Sequence, residues 1–143
     1  MVNYITISSF ILCSLFIVSC HDHDSHDHND EVVTEYSIDV NEPDNEDKSV
    51  GDTLYLDISF NEENGEIVHH VNVQIKNVAD SSVVYSKPTE AHVHESSGMY
   101  HFSDKIHLDN SFGNADWELE AKVWGHDDGL GLIIEKINFH VNP

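Results

Sequence analysis

The chain has 143 residues, with 27 acidic side chains against six lysines and no arginine, and a formal net charge of −21 at pH 7. A surface of that sign repels phosphate, which excludes nucleic acid as a partner and leaves an anionic bilayer without electrostatic attraction for it. The length suits one ordinary hydrophobic core, and twelve histidines make imidazole the unusual ingredient.

Residues Tyr4 to Ser19 are almost continuously apolar and carry no charge. A stretch this short, ending in small residues, reads as a signal-peptide core rather than a membrane-spanning helix. Its end, Ile17-Val18-Ser19-Cys20, resembles the lipobox of bacterial lipoproteins. The resemblance implies that residues 1–19 are cut away as a leader and that Cys20 is lipidated with three acyl chains. Each buried methylene contributes about 0.8 kcal/mol, so such an anchor is stable, and the membrane is a partner through lipid alone. Cys13 would leave with the leader, so no disulfide is expected afterwards.

Residues 20–31 form the next unit. From His21 to Glu31 there is no aliphatic or aromatic side chain. Such a stretch cannot offset its ordering entropy and is expected to be a disordered tether. His21, His23, His26 and His28 alternate with Asp22, Asp24 and Asp27. Flexible tracts of this composition bind zinc, copper or nickel weakly, because the chain must be ordered on binding.

From Val32 to the end, 32–143, apolar residues recur with a period of two. Val32, Thr34, Tyr36, Ile38 and Val40 share one strand face. After the turn Val50-Gly51-Asp52, Leu54, Leu56, Ile58 and Phe60 share the next. Ile67, Val71, Val73 and Ile75 follow, with His69 on the same inward parity and His70 pointing outward. Val83 to Tyr85 is a short strand before Pro88, and Ala91 to Glu95 with Met99 to Ser103 predict a hairpin. Trp117, Leu119, Ala121 and Val123 alternate, as do Ile133, Ile137, Phe139 and Val141. The opposite parity of Trp117 and Trp124 puts one in the core and the other at a rim. Seven or eight short strands without a helical period predict a single all-β domain, an antiparallel two-sheet β-sandwich.

The frame Gly51-Asp52-Thr53-Leu54-Tyr55-Leu56 resembles the opening strand of bacterial Ig-like domains. Residues Trp117 to Gly129 resemble their penultimate strand and turn. With His92-Val93-His94 and Lys105-Ile106-His107-Leu108, the chain is similar to the DUF4625 family of Bacteroidetes lipoproteins. That resemblance implies an Ig-like β-sandwich behind a lipobox and an acidic tether. It also implies an outer-membrane lipoprotein of the cell envelope. Asp22, Asp24, Asp27 and Asp30 loosely resemble that phylum's signal for display at the cell surface, with the periplasmic face as the alternative.

The folded histidines offer the sharper chemistry. A two-residue turn at Ser97-Gly98 would set His94 opposite His101 with His92 on the same face, at the Cβ separations of about 4.5–5.5 Å that let two imidazoles share an ion. A three-residue turn starting at Ser96 would pair His94 with Tyr100 and break the group. His70, His107, His126 or a carboxylate such as Asp127 would complete the ligand set, and His69 is as well read as a hydrogen-bonded core histidine. Asp127 and Asp128 lie in an acidic turn that lacks the full ligand series of a calcium loop. No Gly-x-Ser-x-Gly elbow, phosphate loop or His-Glu-x-x-His occurs, so no enzyme is expected. The sequence therefore predicts a lipid-anchored protein that binds a transition-metal ion, zinc foremost with copper or nickel as alternatives. Its role would be capture, buffering or delivery to an outer-membrane transporter. The alternative is a structural or adhesive Ig-like surface module that binds a protein or glycan, with the histidines incidental.

Overall fold

The computed structural model describes residues 35–126 and 131–143. The expectations for Cys20, for the tether histidines and for Asp127, Asp128 and Gly129 lie outside them. Among the described residues nine strands follow in chain order: β1 (Tyr36–Glu42), β2 (Lys48–Ser49), β3 (Thr53–Glu62), β4 (Val68–Asn77), β5 (Val83–Lys87), β6 (His92–Glu95), β7 (Met99–His107), β8 (Ala115–Trp124) and β9 (Ile133–Asn142). One sheet has the order β1-β3-β7, and the other has β2-β9-β8-β4-β5, with β6 also paired to β4. Strands β1, β3 and β7 take the places of A, B and E of an immunoglobulin domain, and β4, β8 and β9 those of C, F and G. The all-β, Ig-like expectation is borne out. The extra strand is the two-residue β2, which runs parallel to the end of β9.

The alternation does most of the folding work. Leu54, Leu56, Ile58 and Phe60 of β3 face Val71, Val73 and Ile75 of β4 and Trp117, Leu119, Ala121 and Val123 of β8 across the sandwich, all essentially buried. Each such large side chain contributes about 1.5–3 kcal/mol by leaving water. Trp117 is the core tryptophan and donates its indole N–H to the Phe112 carbonyl at 2.9 Å. The Val50-Gly51-Asp52 turn forms as expected, with Gly51 at φ 98° and the Asp52 carboxylate accepting from the Ser49 amide at 2.8 Å.

On the outer face of the six-stranded sheet, Glu120 is only 5 % exposed. Lys76, Lys122 and Lys136 cover it, with Nζ to carboxylate distances of 2.5, 2.6 and 3.2 Å. Burial alone would raise its pKa, but the hydrogen bonds from Lys122, Lys76 and Lys136 win and hold it at about 2. A second polar clamp joins the sheets. Asp104 of β7 accepts from Lys87 at 2.6 Å and from the Tyr85 hydroxyl at 2.8 Å, both on β5, and its pKa falls to about 2 through those bonds.

The expected hairpin does not form. Strand β6 pairs with β4 and β7 pairs with β3, so the two lie in different sheets. The connection Ser96-Ser97-Gly98 carries the chain from one sheet to the other, pinned where the Glu62 amide donates to the Gly98 carbonyl at 2.9 Å. Only glycine fits there. Gly98 has φ 75°, and a Cβ on it would meet the Gly65 Cα at 2.7 Å.

Candidate metal centre

The site begins with a slip in the alternation of β4. Val68 and Val71 are both fully buried, so the two residues between them, His69 and His70, are both displaced from the core. The partner strand explains why. Val68 pairs with Glu95 and His70 with His92, leaving one residue of β4, His69, opposite two of β6, Val93 and His94. This is a β-bulge, a device that re-aims side chains at sheet edges. His94 takes the extra turn at φ 51°, while Val93 packs on the core.

The result is a group of imidazoles gathered by three strands. Ligating atoms of His69, His92 and His94 all lie within 4.8 Å of one another. Ring centroids are 5.3 Å apart for His69 and His94, 5.5 Å for His92 and His94, and 6.2 Å for His69 and His92. His126, just beyond β8, stands 5.3 Å from His69. A tetrahedral ion with Zn–N bonds of about 2.0–2.1 Å places the centroids of its imidazoles roughly 5 Å apart. Small side-chain shifts therefore close the observed arrangement on an ion.

His69 is the hub. Its Nδ1 is buried with no hydrogen-bond partner among the described residues, a costly state for a ring nitrogen unless something accepts or donates there. Burial, and then the neighbouring His126, His94, His70 and His92, lower its pKa and favour the neutral ring, the form that ligates metals. His70 behaves differently. Its Nδ1–H donates to the Gly125 carbonyl at 2.8 Å, and its ring is stacked between Trp124 (5.2 Å, 9°) and His92 (4.8 Å, 25°). Of the two tryptophans of opposite parity, Trp117 is thus the one in the core and Trp124 the one at the rim.

Of the ligands expected from sequence, His92 and His94 come together as proposed, with His70 and His126 beside them. His101 does not join them, because β7 belongs to the other sheet. It sits opposite Ser59, 3.4 Å from that hydroxyl and 3.6 Å from the Asp57 carboxylate. His107 pairs with Thr53 at the end of the same strand. His140 lies at the surface, 2.8 Å from Asp116. His69, weighed in the sequence equally as a core residue, is the central member. The signal was present in Ile67-Val68-His69-His70-Val71, where two valines three apart cannot share a face in a regular strand.

Fold and site together define an Ig-like β-sandwich with a histidine cluster at one end of its larger sheet. No family model matches the chain, and no curated protein is similar to it in sequence. Among solved structures it is similar to the CARDB domain of the PF1109 protein from Pyrococcus furiosus, crystallised in complex with di-metal ions. That match has 9% identity and a TM-score of 0.44 over 78% of this chain and 96% of that one. The solution structure of the same domain gives 8% identity and a TM-score of 0.45 over 75% and 95%. A beta-glucosidase from Listeria innocua in complex with glucose matches with 12% identity and a TM-score of 0.41, over 76% of this chain and 16% of that one.

Proposed function

We propose that this protein binds a transition-metal ion through His69, His92 and His94, as a lipid-anchored capture or buffering module rather than an enzyme. The observation that carries the reading is the grouping of three imidazoles from β4 and β6, with ligating atoms within 4.8 Å of one another. The grouped donors are all nitrogen, which favours zinc, copper or nickel and disfavours calcium and magnesium, whose ligands are oxygen. The lipobox-like Cys20 would fix the domain to the envelope. The tether histidines His21, His23, His26 and His28 would collect ions at low affinity near a transporter or surface protein.

Thermal unfolding tests this reading. A ligand that binds only the folded state raises Tm, whereas a tether that binds alike in both states shifts nothing. Zinc at a hundredfold excess over Kd is expected to raise Tm by roughly 5–10 °C. Calcium is expected to leave it unchanged. An unchanged Tm with zinc would sink the folded site.

A second reading, an adhesive surface module, is favoured by Leu132, Ile133 and Ile134. These three consecutive apolar residues, 39–44 % exposed, run from the residue before β9 into its first two positions. It predicts a partner that binds equally well in the presence of a chelator.

A further inference from the structure

We infer that His126 supplies a fourth nitrogen to the ion held by His69, His92 and His94, and that His70 is the positioning residue that brings it there. The inference rests on the metal-binding reading above and settles what kind of metal centre it is. With four protein ligands the ion has no open position, so the centre retains metal and does not activate water; catalytic zinc sites keep one position free.

The argument starts from the backbone. His126 follows the last residue of β8 by two, and β8 pairs with β4 up to the opposed residues His70 and Trp124. The Gly125 carbonyl is then held by the Nδ1–H of His70 at 2.8 Å. His70 and His69 are neighbours on β4, so this one hydrogen bond ties the backbone immediately before His126 to the strand that carries the hub of the cluster. The ring of His126 accordingly stands 5.3 Å from His69 and 6.4 Å from His92. The first separation equals the shortest among His69, His92 and His94, 5.3 Å, and the second lies just beyond their longest, 6.2 Å; a side-chain movement of roughly 1 Å brings the His126 ring to the spacing of a four-imidazole tetrahedron.

His70 itself is set apart. Its Nδ1 is committed to the carbonyl, and its ring is stacked between Trp124 and His92. A hydrogen bond at one ring nitrogen and packing on both faces are what hold a residue that orients its neighbours, as outer-shell partners do in metal sites. The pair therefore divides the work: His126 binds, and His70 aims it.

The experiment uses the full-length chain with His21, His23, His26 and His28 replaced by asparagine, so that only the domain reports, and cobalt(II) as the spectroscopic probe. Cobalt in a closed four-imidazole centre keeps its visible spectrum when azide is added. In His126→Ala a position opens, azide changes the spectrum, and zinc Kd rises about tenfold or more. His70→Phe, which keeps a stacked ring but loses the donor, is expected to become azide-sensitive with His126 intact. His70→Gln, whose amide can donate to the Gly125 carbonyl, is expected to restore insensitivity. Azide sensitivity in the parent chain, or unchanged zinc affinity in His126→Ala, would overturn the four-ligand inference while leaving the three-histidine site in place. A parent chain that binds neither cobalt nor zinc would overturn the metal reading itself.

Discussion

His69 of β4 and His94 of β6 meet at 5.3 Å with their rings at 73°, because the bulge between the two strands sets one residue of β4 against two of β6. In a regular ladder His69 would point into the core with Val71 and Val73, and the cluster would not exist. The site is thus a property of strand register, and its predicted behaviour follows from which side chains that register gathers.

Zinc affinity separates the gathered histidines from the others. His94→Ala removes a member of the cluster and is expected to weaken zinc binding at least tenfold. His101→Ala, on the opposite sheet beside Asp57, is expected to leave it unchanged. Competition titration against a chromophoric chelator measures both. Equal losses in the two variants would mean that the histidines act only through charge.

Trp124 should report the ion optically. It stacks on His70, which stacks on His92, so an open-shell copper(II) ion at the cluster lies two rings away. In the chain with the tether histidines replaced, copper is expected to quench tryptophan emission saturably. Trp124→Phe is expected to abolish most of that quenching and leave the emission of the buried Trp117. Quenching that persists undiminished in the variant would place copper elsewhere.

Acid stability should track Glu120 and Asp104. Both carboxyls have pKa values lowered to about 2 in the folded chain, by the Lys122, Lys76 and Lys136 bonds that overcome burial in one and by the Lys87 and Tyr85 bonds in the other. A depressed carboxyl stabilises the fold fully above its unfolded pKa, and that stabilisation is lost as pH falls from there through the folded value. The loss is therefore expected between about pH 4.5 and 2. For Glu120 it amounts to about 3 kcal/mol, by linkage from the shifted pKa. Urea unfolding across that window checks it. Glu120→Gln is expected to lower stability at neutral pH and to flatten the acid limb.

Core packing carries the rest of the stability. Leu119 is fully buried on β8 between the two sheets. Leu119→Ala is expected to cost about 2–5 kcal/mol, measured as a fall in the urea midpoint, because the cavity it leaves cannot collapse within a close-packed sandwich.

The fold was legible because its strands are half-buried and alternate. The faces of Leu54 to Phe60 and of Trp117 to Val123 are those read from sequence. Partner choice was not legible. Ser97-Gly98 has the composition of a hairpin turn, but the chain crosses between sheets there, held by Glu62 and by the close approach of Gly65, both distant in sequence. That crossing removed His101 from the expected site. His69 was harder to place: the alternation of β4 slips between Val68 and Val71, where the strand meets the bulge of β6, and the pairing of β6 with β4 was not legible. His92 and His94 were readable as a pair because they lie two residues apart on one short strand, with Val93 half-buried between them.

The most direct measurement is a calorimetric zinc titration of the full-length chain with its tether histidines replaced, run beside the same chain carrying His92→Ala and His94→Ala. The account predicts one zinc per chain, reversible by chelator, in the first and none at micromolar zinc in the second. Identical heats in the two, or no heat in either, would contradict it.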